Sequence, residues 1–129
     1  MRAHITVITI LSNDVTRLTK FYRDTLGFKT IVDTEGYVEF DSSGVRFSIC
    51  SRALMSVNTN GHPSFKEEFR GQAFELSFPC DSHQDVINTY NDIITKGATP
   101  IKEPTIMPWG HTTAFFADPE GNIHSIFAE

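Results

Sequence analysis

Asp118-Pro119-Glu120-Gly121-Asn122-Ile123-His124-Ser125-Ile126-Phe127 decides how this chain is read. Asp and Pro open a tight turn, Gly121 supplies backbone freedom at its far side, and a final strand follows. The same phrase occurs earlier as Asp41-Ser42-Ser43-Gly44-Val45-Arg46-Phe47-Ser48-Ile49-Cys50. Four residues recur at one constant spacing: Asp41 with Asp118, Gly44 with Gly121, Ser48 with Ser125, Ile49 with Ile126. Matches this few need support from the rest of the chain, and the order of elements on either side supplies it.

Before the first copy of the phrase, Ile5 to Leu11 is β-branched and apolar and reads as a strand. Asn13 or Asp14 caps a helix whose apolar residues Val15, Leu18, Phe21, Tyr22 and Leu26 fall at helical spacing, and Gly27 closes it. Phe28–Val32, Tyr37–Phe40 and Val45–Cys50 read as three further strands. Before the second copy, Ala73–Phe78 reads as a strand. Asp81 or Ser82 then caps a helix carrying Val86, Ile87, Tyr90, Ile93 and Ile94, with Gly97 at its end. Ala98–Lys102, Thr112–Phe116 and Asn122–Phe127 complete the second set, with a longer loop over 103–110. Residues 51–71 lack periodicity and read as a connector with a short helical piece around Phe65 to Phe69. The expectation is therefore an α+β domain over 1–129: module one at 1–50, connector 51–71, module two at 72–129. Each module is a βαβββ unit.

A unit of this size buries little core alone. Two of them are expected to form a curved mixed sheet around a trough, with the helices outside. Alternation along the strands puts Val7, Thr9 and Leu11, then Arg46, Ser48 and Cys50, then Ile123, Ser125 and Phe127 on the trough side. That concave face is the expected place for a small-molecule ligand.

Composition narrows the partners. The formal net charge of −5 argues against nucleic acid or an anionic membrane. No apolar run approaches the ~20 residues of a membrane span, and the start reads as strand rather than signal peptide. Cys50 and Cys80 lack CxxC spacing and read as free thiols of a cytoplasmic protein. The eleven Phe suit either an aromatic core or an aromatic-lined pocket.

Asn13-Asp14-Val15…Phe21-Tyr22-Arg23-Asp24-Thr25-Leu26-Gly27-Phe28 resembles the first helix of the vicinal oxygen chelate superfamily. Trp109-Gly110 followed by Asp118-Pro119-Glu120-Gly121-Asn122 resembles its closing motif. The superfamily includes glyoxalase I, extradiol dioxygenases, fosfomycin-modifying enzymes and bleomycin-resistance proteins. The resemblance covers nearly all of the chain outside the connector and speaks to fold more than to activity. It implies four positions where family enzymes hold a divalent metal with His and Glu. Counting from Asp14, Gly44 and Gly121 puts three of them on Val7, Ser48 and Ser125. The fourth falls on Phe74 by counting, or on Glu75 by strand parity. One carboxylate among valine and two serines is a poor divalent site, so neither metal nor cofactor is expected.

The residues expected to touch a ligand are Thr9, Arg46, Ser48, Glu75, Trp109, His111, Ser125 and Phe127. Arg46 is a candidate ion-pair partner of Glu75, and the two together suit a polar or zwitterionic ligand. Trp109 either plugs the core or stacks on a flat molecule, and pocket lining is preferred. Among the histidines His111 is the candidate contact. His4 and His124 point to the opposite face, and His62 and His83 read as solvated. Ser48, Ser125 and the two cysteines lack a flanking base, so nucleophilic catalysis finds no support. The preferred reading is a binder that sequesters an aromatic or amphipathic compound. Dimeric bleomycin-type relatives imply a homodimer. The rivals are a metal-dependent lyase or dioxygenase of the same fold, and a regulatory or scaffolding domain without a small ligand.

Overall fold

The computed structural model describes residues 1–66 and 71–129. The chain divides into two compact units, Met1–Arg70 and Gly71–Glu129.

The first unit runs β1 (Val7–Ser12), α1 (Val15–Lys20), β2 (Thr30–Thr34), β3 (Tyr37–Phe40), β4 (Arg46–Ser51) and α2 (Arg52–Asn58). Its sheet has the order β1-β4-β3-β2. β1 lies parallel to β4, and the other two pairings are antiparallel. Asp14 caps α1 by accepting the Arg17 N–H at 3.1 Å. The predicted helix is one continuous run to Leu26. The structure instead gives six residues of α-helix and then a π-type turn over Phe21–Thr25. Phe21 and Tyr22 are both buried in that turn. Tyr22 sits 4.9 Å from Phe47 and 6.2 Å from Phe40, and Phe40 stacks on Phe47 at 5.4 Å. Much of the phenylalanine content of this unit is core.

The second unit runs β5 (Ser77–Pro79), α3 (His83–Thr95), β6 (Thr99–Ile106), β7 (Thr112–Ala117) and β8 (Ile123–Ala128). Its sheet order, β5-β8-β7-β6, repeats the first in strand sequence and in strand direction. Two sheets with one topology bear out the α+β pair of βαβββ modules. The repeated phrase has a physical basis at its glycine, since Gly44 and Gly121 hold φ of 90° and 85°. Its aspartates differ in use. Asp118 is buried and accepts from Glu120 N, Asn122 N and Asn122 Nδ2 at 2.9, 3.0 and 2.7 Å, whereas Asp41 is exposed.

Several boundaries move. β6 continues to Ile106 where a loop is predicted, because it is an edge strand with two register shifts and tolerates Pro100 and Pro104. β5 is shorter than the predicted Ala73–Phe78. Side chains take the backbone partners there: Gln72 bonds both Ile123 O and Ile123 N, at 3.0 and 3.1 Å, and His124 Nδ1 accepts the Leu76 N–H at 3.2 Å. The connector begins with an unpredicted helix, α2, capped by Ser51 on Leu54 N at 3.0 Å. A 3₁₀ turn follows at Pro63–Phe65. Positions 67–69 of the predicted helical piece lie outside the described residues. No helix among the described residues is long and apolar enough to cross a membrane.

Candidate functional site

Strand register decides which side chains meet. In the first unit Thr9 pairs with Ser48, and Ser48 with Glu39 on its other side. These three therefore form one row on the sheet face away from Ile10, Val38 and Ile49. The Thr9 and Ser48 hydroxyls lie 2.7 Å apart. Glu39 is almost fully buried, its side chain 7% exposed, and it is satisfied on both oxygens. Tyr37 donates its phenol proton to Oε2 at 2.7 Å, and Arg46 Nη1 approaches Oε1 at 3.3 Å. That bond to Glu39 pushes the Tyr37 phenol above its ordinary value; burial adds to the rise and a bond with Ser48 works against it.

In the second unit Ser125 pairs with Ser77 on β5 and Phe115 on β7. The Ser77 and Ser125 hydroxyls are 2.6 Å apart. Ser125 also donates to Glu75 Oε1. Ser125 is buried, while Ser77 and Glu75 are exposed. One step along the same face, Phe127 stacks on the half-buried His111 ring, with centroids 5.9 Å apart and planes at 14°. Trp109 is 61% exposed.

On the opposite face, His124 is fully buried. Its ring lies 6.3, 6.1 and 5.9 Å from Phe74, Phe78 and Phe116. Burial holds its pKa below the ordinary histidine value, partly offset by Asp118 and Glu75. Burial likewise pushes the Cys50 and Cys80 thiols up, away from reactivity.

These contacts sort the expected site residues into two clusters. In the first unit Thr9 meets Ser48, and Arg46 reaches the neighbouring Glu39; in the second Glu75 meets Ser125 and His111 meets Phe127, while Trp109 is exposed. Arg46 and Glu75 each have a partner inside their own unit, Glu39 and Ser125. His83, read as solvated, bonds the hydroxyl of the buried Thr112 through Nδ1. Glu39 and Tyr37 are new participants, and Ser77, which strand parity puts on the same face as Glu75, joins Ser125. Parity carries the signal for the first two, since Tyr37 and Glu39 alternate with the apolar Val38 and Phe40.

Register also gives the neighbours of the positions that the resemblance assigns to metal ligands. Val7 lies opposite Arg46, so Thr9 is the first-strand residue level with Ser48. Ser77, rather than Phe74 or Glu75, is level with Ser125. The residues level with one another are thus Thr9 with Ser48 and Ser77 with Ser125, four neutral hydroxyls. Divalent ions favour imidazole, thiolate or carboxylate ligands, and neither hydroxyl pair by itself supplies them. No group of three or more His, Cys, Asp or Glu side chains suited to a metal occurs among the described residues.

Comparison with known proteins agrees with this architecture. The profile of the Glyoxalase/Bleomycin resistance protein/Dioxygenase superfamily matches residues 3–125. The uncharacterized protein YraH of Bacillus subtilis is 28% identical over 123 residues, spanning 93% of this chain and 94% of its own. A glyoxalase/bleomycin resistance protein/dioxygenase family enzyme from Burkholderia phytofirmans superposes with a TM-score of 0.86 at 23% identity, covering 98% of both chains. Lactoylglutathione lyase from Agrobacterium tumefaciens superposes with a TM-score of 0.76 at 19% identity, over 99% of this chain and 95% of that one. At those identities the structures speak for the fold alone. With nearly its whole length matched, the chain belongs to the glyoxalase/bleomycin resistance protein/dioxygenase superfamily, the vicinal oxygen chelate fold.

Proposed function

We propose that this protein binds a small aromatic or amphipathic molecule without a catalytic metal, and sequesters it rather than transforming it by Lewis-acid chemistry. One observation carries the reading: of the positions that the family resemblance assigns to imidazole and carboxylate ligands, Val7 carries hydrocarbon, while Ser48 and Ser125 carry hydroxyls that stand level with those of Thr9 and Ser77. Supporting it are the flat Phe127–His111 pair beside the second hydroxyl pair, and the Arg46 guanidinium beside the first. Burial of apolar and aromatic surface supplies affinity, and the hydroxyls and charges supply orientation. A homodimer belongs to the same proposal, by resemblance to bleomycin-type members.

A thermal-shift screen against flat aromatics, antibiotics and divalent metals tests it, because a ligand of the folded state raises its melting temperature. The reading expects stabilisation by an aromatic compound and none by metal. Stabilisation by Ni²⁺, Zn²⁺ or Mn²⁺ at micromolar concentration favours a metal-dependent lyase or dioxygenase instead.

A further inference from the structure

The second unit contains a hydrogen-bond chain whose direction is fixed at one end. A carboxylate accepts and has nothing to donate. Ser125 therefore spends its single hydroxyl proton on Glu75. The Ser77–Ser125 contact of 2.6 Å then needs its proton from Ser77. Ser77 has only one, so its oxygen is left with lone pairs and no free proton. Ser125 is buried, whereas Ser77 is exposed at the outer end of the chain. Phe127 lies on the same sheet face, two residues beyond Ser125, with Pro79 of β5 opposite it.

We propose that Ser77 is an acceptor-only binding position, and that the ligand of this face carries an ammonium or other N–H donor on a flat aromatic body. The ring packs on Phe127 and His111 while the donor points at Ser77 Oγ. The negative charge of Glu75, two hydroxyls away, polarises the chain in the sense that strengthens acceptance at Ser77. A carboxylate or phosphonate at the same place meets lone pairs and no proton, and is rejected. The inference rests on the ligand-binding reading above and adds the polarity of the ligand to it.

Tryptamine and indole-3-acetate share a ring and differ in the sign and hydrogen-bonding sense of the attached group. Binding of each to the full chain is measured by calorimetry at moderate salt, for the natural protein and for Ser77→Ala and Glu75→Gln. The natural protein is expected to prefer tryptamine by about tenfold, the worth of one hydrogen bond involving a charged group. Ser77→Ala, at an exposed position, should fold normally, weaken tryptamine by about the same factor and leave indole-3-acetate unchanged. Glu75→Gln should narrow the preference, because an amide can donate to Ser125 and reverse the chain. A preference that survives in Ser77→Ala reports general attraction to an acidic protein and overturns the proposal. Equal binding of the two indoles by the natural protein overturns the polarity while leaving a ligand site in place. Binding of neither removes the ligand-binding reading of this face along with it.

Discussion

His124 makes the stability of the second unit depend on pH, in a direction the structure determines. Its Nδ1 accepts the Leu76 N–H at 3.2 Å, so in the folded state the ring is neutral with its proton on Nε2. Protonating Nδ1 breaks that bond and places a charge among Phe74, Phe78 and Phe116 in a fully buried position. Burial accordingly lowers the folded pKa below the ordinary value of about 6.5. Below that value the unfolded chain takes up a proton that the folded chain refuses. The contribution of His124 is therefore full above about pH 6.5 and is lost as pH falls through the folded value. Within that window the loss is about 1.4 kcal/mol per pH unit, or roughly 3–6 °C in melting temperature for a chain of this size. The assay is thermal unfolding by circular dichroism at intervals from pH 7.5 to pH 5, for the natural protein and for His124→Gln. Glutamine cannot titrate but can still accept from Leu76. It loses ring packing, so it should start lower, by about 1–3 kcal/mol, and then fall less steeply with acid. Parallel pH curves for the two proteins would refute the reasoning.

Other consequences can be checked in the same way. Asp118→Ala strips the acceptor from two backbone N–H groups and the Asn122 amide and should cost about 2–4 kcal/mol, read as a lowered denaturation midpoint in urea. Gly121→Ala has open space at its Cβ but a φ of 85°, so a smaller loss of about 1 kcal/mol is expected from backbone strain alone. Arg46→Met leaves the buried Glu39 with only the Tyr37 phenol and should cost about 1–3 kcal/mol. Glu39→Gln in the same background should restore part of that loss, and a double-mutant cycle measures the coupling. Trp109 is exposed, so its fluorescence should resemble that of tryptophan in water, and Trp109→Phe should leave stability nearly unchanged.

The fold was legible because its signals are local and repeated. Asp14 and Ser82 cap their helices, Gly27 and Gly97 follow them, and the Gly44 and Gly121 turns repeat with the same backbone conformation. Boundaries failed where side chains replaced backbone ladders, as Gln72 and His124 do beside β5. They also failed where an edge strand carried prolines through 99–106. Alternation places the candidate residues on a face, but not the pairings among them. Counting from a cap places Val7 on its face but not opposite a partner, because a slip of two residues keeps the face while changing every neighbour. Parity puts Glu39 on the face opposite Val38 and Phe40, but a strand carboxylate ordinarily faces water, so parity alone does not mark it as buried. Its burial depends on Tyr37 and Arg46 converging on it across two strands, which is information held by the fold.

The proposal's central claim is that Val7, Ser48 and Ser125 put hydrocarbon and hydroxyl groups at positions that the family resemblance assigns to metal ligands, so that the protein works by holding a molecule. Its most direct test is the metal content of protein purified without chelators, before and after dialysis against Ni²⁺, Zn²⁺, Mn²⁺ and Fe²⁺, by mass spectrometry. The account predicts that only traces remain bound in every case. Retention of about one divalent ion per chain, lost on substituting Ser48 or Ser125, would contradict it.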